Sequence, residues 1–282
     1  MRLEVGCKMQ FHAQTETPVV LMLRPRSLPG QWVVWERYVL EPHCPSSEYS
    51  DSYGNLCQRL MIPAGKFELA VTAEIATDSD IAVDPTAMFV PIEHLPSSVL
   101  RFLLPSRYCE SDRLFDLAVA VTQDASPGYS QVESIRRWIY ENFEYQYGSS
   151  DASTSALDIV ATQQGICRDF AHLGISLCRS LNIPARMVVG YLYNLKPMDQ
   201  HAWFEAYVGD RWYSFDATQA EPRGNRVVLA HGRDAADVAL VTQFGPLSLE
   251  TMEVWVRSSS YPQVSSPIVD STETIQTSVN GI

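Results

Sequence analysis

The chain has 282 residues, 46% of them hydrophobic and 19% charged, with a formal net charge of −12 at pH 7. That length can bury one large core or two modest ones. The acidic balance, with no basic run to offset it, excludes a nucleic acid or an anionic membrane as the expected partner. No stretch approaches the ~18 apolar residues of a membrane span. The opening MRLEVGCKMQFHAQTETPVVLML lacks the charged region, apolar core and small-residue cleavage site of a secretory leader, so the expected location is cytoplasmic. Six cysteines (Cys7, Cys44, Cys57, Cys109, Cys167 and Cys178) are scattered without a C-x-x-C pair. They read as free thiols in a reducing compartment.

The first eighty residues read as strands. PVVLMLRP, QWVVWERYVLEP and KFELAVTAEIAT are rich in β-branched and aromatic residues, and turn clusters such as SLPG, SDSYGN and IPAG divide them. Residues 1–80 are therefore expected to form a small β-sandwich. Nothing in them carries chemistry; His12 and His43 stand alone and read as structural. A proline-punctuated passage over 81–110 reads as a connector.

From Ser111 the period becomes helical. SDRLFDLAVAVTQ opens with a Ser/Asp start, and YSQVESIRRWIYENFEY aligns Val132, Ile135, Ile139 and Phe143 on one stripe. SALDIVATQQ is a shorter helix, and the segment beginning at Cys167 is the fourth and clearest. After it the period returns to two in ARMVVGYLY, HAWFEAYV, RWYSFDAT, RVVLAHG and LETMEVWVRSS. Residues 111–258 are thus expected to form one α+β domain. The Ser/Thr-rich 259–282 is expected to be a flexible tail.

In the fourth helix, Phe170, Leu173, Gly174, Leu177, Cys178 and Leu181 follow the spacing of one buried face. Cys178 belongs to that stripe and reads as packing. Cys167 continues the stripe one turn back but stands in the first helical turn. There unpaired backbone N–H groups and the dipole favour a thiolate, and the cysteine's own N–H can receive an oxyanion. Gly165 is expected to permit the tight turn that exposes the sulfur.

A nucleophile needs a base and an orienting carboxylate, and HAWFEAYVGDRWYSFDAT supplies both. If Gly209-Asp210 form a two-residue turn, Val208 faces Arg211, Trp203 faces Asp216 and His201 faces Thr218. His201 and Asp216 then share one sheet face as diagonal neighbours, roughly 7–8 Å apart at the backbone and within side-chain hydrogen-bonding reach. A three-residue turn would break this parity.

GICRDFAHLGISLCRSLNIPAR, QHAWFEAYV and RWYSFDAT resemble the cysteine, histidine and aspartate boxes of the transglutaminase-like superfamily. More narrowly they resemble its bacterial transglutaminase-like cysteine proteinase branch. LLPSRYCESDRL and VLMLRPRS…QWVVWERYVLEP…YGNLCQRLMIPAGKF resemble the leader and β-rich N-terminal domain of that branch. The resemblance runs to about residue 258. It implies a papain/transglutaminase-like α+β core in which the cysteine helix packs on an antiparallel sheet. By the same resemblance Cys167 is the nucleophile, His201 the general base and acid, and Asp216 the orienting carboxylate. The implied reaction is attack on a peptide or small-amide carbonyl to give a thioester. Water resolves the thioester in a protease or amidase, and a primary amine resolves it in an acyltransferase; the three residues serve both. An inactive peptide-binding scaffold is the reading of another class.

Beyond the triad, the Cys167 backbone N–H is the first oxyanion donor to consider, and the side chain of Gln163 or Gln164 is the second. His172 lies about 140° round the helix from Cys167, poorly placed as a base, and reads as structural. Asp169 suits the first helical turn and could hold a neighbouring loop. Trp203 shares the His201 face, either shielding the site or packing the core. No metal or phosphate motif is present, so no cofactor or metal is expected. The substrate and the role of the N-terminal domain, whether cleft restriction, structure or homo-oligomer formation, are left open.

Overall fold

A period of two builds the first layer. In the computed structural model, which describes residues 1–259, β1 (Arg2–Ala13) buries Leu3, Val5, Cys7, Met9, Phe11 and Ala13 on one face. It is followed by β2 (Thr17–Leu21), β3 (Gln31–Glu41), β4 (Ser46–Ser50), β5 (Leu56–Ile62) and β6 (Gly65–Thr77). β6 lies antiparallel to β1 and buries Phe67, Leu69, Val71, Ala73 and Ile75 against the same interior. Two four-stranded sheets result, and Met9, Phe11, Leu21, Ile62 and Leu69 fill the space between them. The expected sandwich is present.

Its composition differs from the expectation in one respect. β13 (Val241–Gln243) and β14 (Leu247–Ser258), expected within the 111–258 unit, pair antiparallel with β2 and β1. β6 occupies only one edge of β1, and β14 closes the other; an open edge on so long an apolar strand would invite pairing with another chain. Both ends of the described chain therefore build the N-terminal layer. The passage over 81–110 carries two short 3₁₀ turns, and Val90, Leu95, Val99 and Phe102 form a small cluster with Tyr207. Apart from Ser259, the tail expectation lies outside the described residues.

The second layer contains α1 (Phe115–Thr122), α2 (Tyr129–Asn142), β7 (Glu144–Tyr145), α3 (Ala156–Thr162), β8 (Gln164–Gly165) and α4 (Cys167–Ser180). Next come β9 (Ala185–Leu192), β10 (His201–Val208), β11 (Arg211–Phe215) and β12 (Arg226–Gly232), in an antiparallel sheet of order β11-β10-β9-β12. Val132, Ile135, Ile139 and Phe143 are all buried, as the stripe predicts. α4 departs from a simple amphipathic helix, because it is buried on every face from Asp169 to Arg179. Most of its polar groups are satisfied internally, whereas His172 Nδ1 has no partner among the described residues. Arg179 donates to the carbonyls of Ala185, Leu104 and Arg233 and to Ser106 Oγ, and Ser176 donates to the His172 carbonyl.

Three N-terminal side chains dock the two layers along the free edge of β12. Thr77 Oγ1 donates to the Arg226 carbonyl at 2.8 Å. The Gln31 amide donates to the Val228 carbonyl at 3.0 Å and accepts from its N–H at 2.7 Å. Asn55 does the same with His231, at 2.9 and 3.0 Å. Each amide replaces a missing strand partner, so these buried backbone groups stay paired.

α4 approaches β10 most closely at Gly174, where an added Cβ would meet the buried Phe204 ring at 2.5 Å. Phe204 is itself stacked on Phe215 at 5.7 Å and has no room to retreat. Helix propensity alone favours alanine over glycine by about 1 kcal/mol, whereas overpacking costs about 1–3 kcal/mol. The Gly174→Ala variant is expected to lose stability, read as a lower urea midpoint; an equal or higher midpoint would show that the close approach is not limiting.

Candidate active site

α4 begins where β8 ends, and this junction sets Cys167. The Asp169 carboxylate turns back to accept the Ile166 N–H at 2.9 Å, stopping the helix from extending backwards. Fully buried, it also accepts from Ser150 Oγ and pairs with Arg168 at 2.9 Å, so it does hold the neighbouring loop. Gly165 serves a different purpose from the one expected. It lies in β8 rather than in a tight turn, and a Cβ there would come within 3.0 Å of Asp169 Cβ and 3.1 Å of Ile159 Cδ1. Its bareness lets α3 and the start of α4 close together.

Of the six cysteines, Cys167 alone is half-buried and the other five are buried. Burial pushes the Cys109 thiol up to about 12 and raises Cys178 well above the ordinary range. Both are inert packing groups.

β10 and β11 meet in the two-residue turn that the sequence predicts. Gly209 and Asp210 have φ of 54° and 63°, and the ladder pairs Val208 with Arg211 and Phe204 with Phe215. This register carries His201 and Asp216 onto one face. The Asp216 carboxylate receives His201 Nε2 at 2.7 Å, which leaves Nδ1 free of it, and the Cys167 sulfur lies close enough to influence the ring. Asp216 also accepts Arg226 Nη2 at 2.9 Å, the Thr218 N–H at 3.0 Å and Thr218 Oγ1 at 2.7 Å.

Burial taken alone would lower the pKa of His201 and raise that of Asp216. Each opposes that tendency in the other. The Asp216 charge and hydrogen bond, joined by the Cys167 sulfur, push the imidazole up to about 9. The His201 and Arg226 charges hold the Asp216 carboxyl far below the usual carboxylate range. At neutral pH this favours an imidazolium between carboxylate and sulfur, a group that can hold a thiolate opposite it and then release a proton.

Arg226 and Tyr145 join the site without a sequence motif to mark them. Arg226 stands on the edge strand β12, its guanidinium 4.8 Å over the Trp203 ring. Trp203 in turn stacks on His201 at 6.1 Å, so it both packs the core and covers the imidazole. An arginine at the start of a strand gives no sequence signal for such a role. Tyr145 pairs in parallel with Gly165 and packs edge-on against Phe170 at 5.9 Å, which places it in the cleft wall with Cys167 and its backbone N–H. That N–H has no partner within the helix, as the first-turn position requires.

Gln164 is placed otherwise than expected. It is the cross-strand partner of Glu144 and donates its amide to that carboxylate at 3.2 Å. Strand alternation turns Gln164 away and Tyr145 inward, so Gln164 is not part of the cleft wall. Gln163 is the left-handed residue ending α3, with φ of 56°. His172 is structural: its Nε2 accepts the Ala235 N–H at 3.1 Å, its ring stacks on Tyr108 at 5.0 Å, and burial lowers its pKa to about 3.

Cys167 and His201 open into a cleft of about 540 Å³. Its wall combines β9 and β10 with Tyr108, Tyr145 and Tyr147, the 235–241 segment, and Met9, Phe11, Leu249 and Met252 of the N-terminal sheet. No cluster of His, Cys, Asp or Glu suited to a metal occurs among the described residues. Nor is any helix among them long and apolar enough to cross a membrane.

An antiparallel sheet offering a His–Asp pair to a cysteine at a helix start is the arrangement of a papain- or transglutaminase-like fold. The comparisons agree with this class. Residues 116–217 match the Transglutaminase-like superfamily, and residues 12–77 match the Bacterial transglutaminase-like N-terminal region. The structure of a candidate cysteine protease from Cytophaga hutchinsonii is 36% identical, covers 93% of this chain and 92% of its own, and superposes with a TM-score of 0.87. An uncharacterized protein of Mycobacterium leprae is 28% identical over 232 residues, spanning 77% of this chain and 82% of that relative. One from Mycobacterium tuberculosis is 26% identical over 245 residues, 77% of each. The chain belongs to the transglutaminase-like superfamily.

The His201–Asp216 pair has a pH signature. The folded imidazole binds its proton more tightly than the ordinary value of 6.5, with its pKa raised to about 9. The pair therefore stabilises the fold fully below pH 6.5, and that contribution is lost as pH rises through about 9. The urea midpoint of the wild type should exceed that of Asp216→Asn at pH 6, and the gap should narrow by pH 10. A gap that widens with pH would contradict the assignment.

Proposed function

We propose that the protein is a cysteine-dependent amide-bond enzyme, most simply a peptidase or amidase, with Cys167, His201 and Asp216 as its triad. One observation carries the reading: a buried imidazole bonded through Nε2 to a buried carboxylate shares one cleft with the half-buried Cys167 thiol. The resemblance to the candidate protease of Cytophaga hutchinsonii supports it.

In the first step the Cys167 sulfur attacks the amide carbonyl carbon, and the Cys167 N–H receives the oxyanion. As the C–N bond breaks, His201 Nδ1–H protonates the departing amine and a thioester remains. Water then attacks with its proton passing to His201, and the acid leaves while the proton returns to the Cys167–His201 pair. Asp216 stays ionised throughout, fixing the ring by its hydrogen bond. Every step needs a reduced thiol and no added cofactor, which suits a reducing compartment such as the cytoplasm.

Transfer to a primary amine is a second reading, supported by the cleft's apolar wall. Met9, Phe11, Val238 and Leu240 leave little to hold the water that must otherwise resolve the thioester. Given a peptide carboxamide and a labelled primary amine together, a hydrolase releases acid without incorporating the label, whereas a transferase yields the labelled amide.

Near pH 6, iodoacetamide is expected to alkylate Cys167 at least about tenfold faster than Cys109 or Cys178 in native protein. Equal rates would remove the activated-thiol reading. Cys167→Ala should abolish turnover; unchanged partner binding with no turnover in the wild type would instead mark a binding scaffold.

A further inference from the structure

The cleft around Cys167 has a chemical character that the triad does not require. Its apolar part comes largely from the N-terminal sheet. Met9 pairs with Met252 and Phe11 with Leu249 across the β1–β14 ladder, and a bulge beside Phe11 keeps all four on the inward face. Met9 and Phe11 are buried, but Leu249 is 52% and Met252 42% exposed, although both point to the cleft side. Among the described residues nothing covers this stretch of sheet interior.

The charges in the cleft are just as one-sided. Arg168 is engaged by Asp169 through Nε at 3.1 Å and Nη2 at 2.9 Å, and also donates to the Asp151 carbonyl at 2.7 Å. Among the described residues Asp199, two residues before His201, accepts the Gln200 N–H at 2.7 Å and no other hydrogen bond. Among the described residues no Lys or Arg forms an ion pair with it. Partial burial raises its pKa, with the Gln200 N–H and the His201 charge opposing the rise. A carboxylate half-withdrawn from water beside an apolar wall gains most from an organic cation.

We propose that the cleft selects an amide system carrying a protonated amine next to a bulky apolar group. Asp199 pairs with the ammonium, and the Met252–Leu249 face of the N-terminal sheet takes the apolar group. The inference rests on Cys167 being the reacting thiol of this cleft. It gives the N-terminal domain a direct part in choosing the substrate.

Matched thiosulfonates of defined charge test it by their labelling of Cys167. Rates are followed by mass spectrometry and divided by each reagent's rate with free glutathione. The 2-aminoethyl reagent should outpace the 2-sulfonatoethyl reagent by about tenfold, a ratio set by charge alone. Asp199→Asn should reduce the aminoethyl-to-methyl ratio by about fivefold, and Met252→Lys should reduce the benzyl-to-methyl ratio similarly. Urea midpoints confirm that each variant is folded. Failure of every reagent to label Cys167 would overturn the underlying active-site reading. Labelling without charge or size preference would overturn this inference alone.

Two further arms locate the ammonium. If it belongs to the acyl donor, leucine p-nitroanilide should be hydrolysed with a lower KM than its N-acetyl form, and Asp199→Asn should erase the difference. If it belongs to the acceptor, cadaverine should be incorporated in preference to butylamine, with the same sensitivity. Absence of both preferences would overturn the proposal.

Discussion

The buried charge of Asp216 is the constraint on which the rest of the site depends. A carboxylate taken out of water costs several kcal/mol unless its oxygens are fully engaged. Here His201, Arg226 and both donors of Thr218 engage them. Each donor comes from a different part of the fold: β10, the start of β12, and the turn leaving β11. The carboxylate thus acts as the junction of the sheet's working end. Taking away any one donor would leave charge uncompensated where water cannot reach it.

This junction connects the site to the N-terminal domain. Arg226 reaches Asp216 from an edge strand, and Thr77, Gln31 and Asn55 of the first layer hold that strand by its backbone. On the other side of the cleft, β14 returns to β1 and places Met252 and Leu249 opposite the catalytic layer. The N-terminal sandwich is therefore both a brace behind the His201–Asp216 pair and a wall of the cleft in front of it. A bare α+β core would have neither, which gives a physical reason for two family regions to occur on one chain.

Much of this was legible from residue order because it rests on local rules. The Gly209-Asp210 turn fixed the register of β10 and β11, and register alone put His201 beside Asp216. Helical phase located α4, and first-turn position set Cys167 apart from Cys178. What could not be read depends on contacts between distant segments. Arg226 became part of the site through strand order in the sheet, which periodicity does not encode. The pairing of β14 with β1 spans nearly the whole chain, so Met9 and Phe11, in a segment that appeared devoid of chemistry, came to line the cleft. Gln164 reads as a residue at a helix end, but it lies in the two-residue strand β8, where it faces Glu144 and not the cleft. The burial of α4 on all sides was likewise invisible, because its polar stripe meets partners as remote as Leu104 and Arg233.

The buried Asp216 charge is expected to hold His201 as an imidazolium facing Cys167 at neutral pH. Nitrogen-15 NMR of histidine-labelled protein at pH 7 reads this most directly. Both ring nitrogens of His201 are expected to carry protons and show the shifts of a charged imidazole, and alkylating Cys167 is expected to return the ring to a neutral form. A neutral His201 in the unmodified protein, with one nitrogen unprotonated, would contradict it.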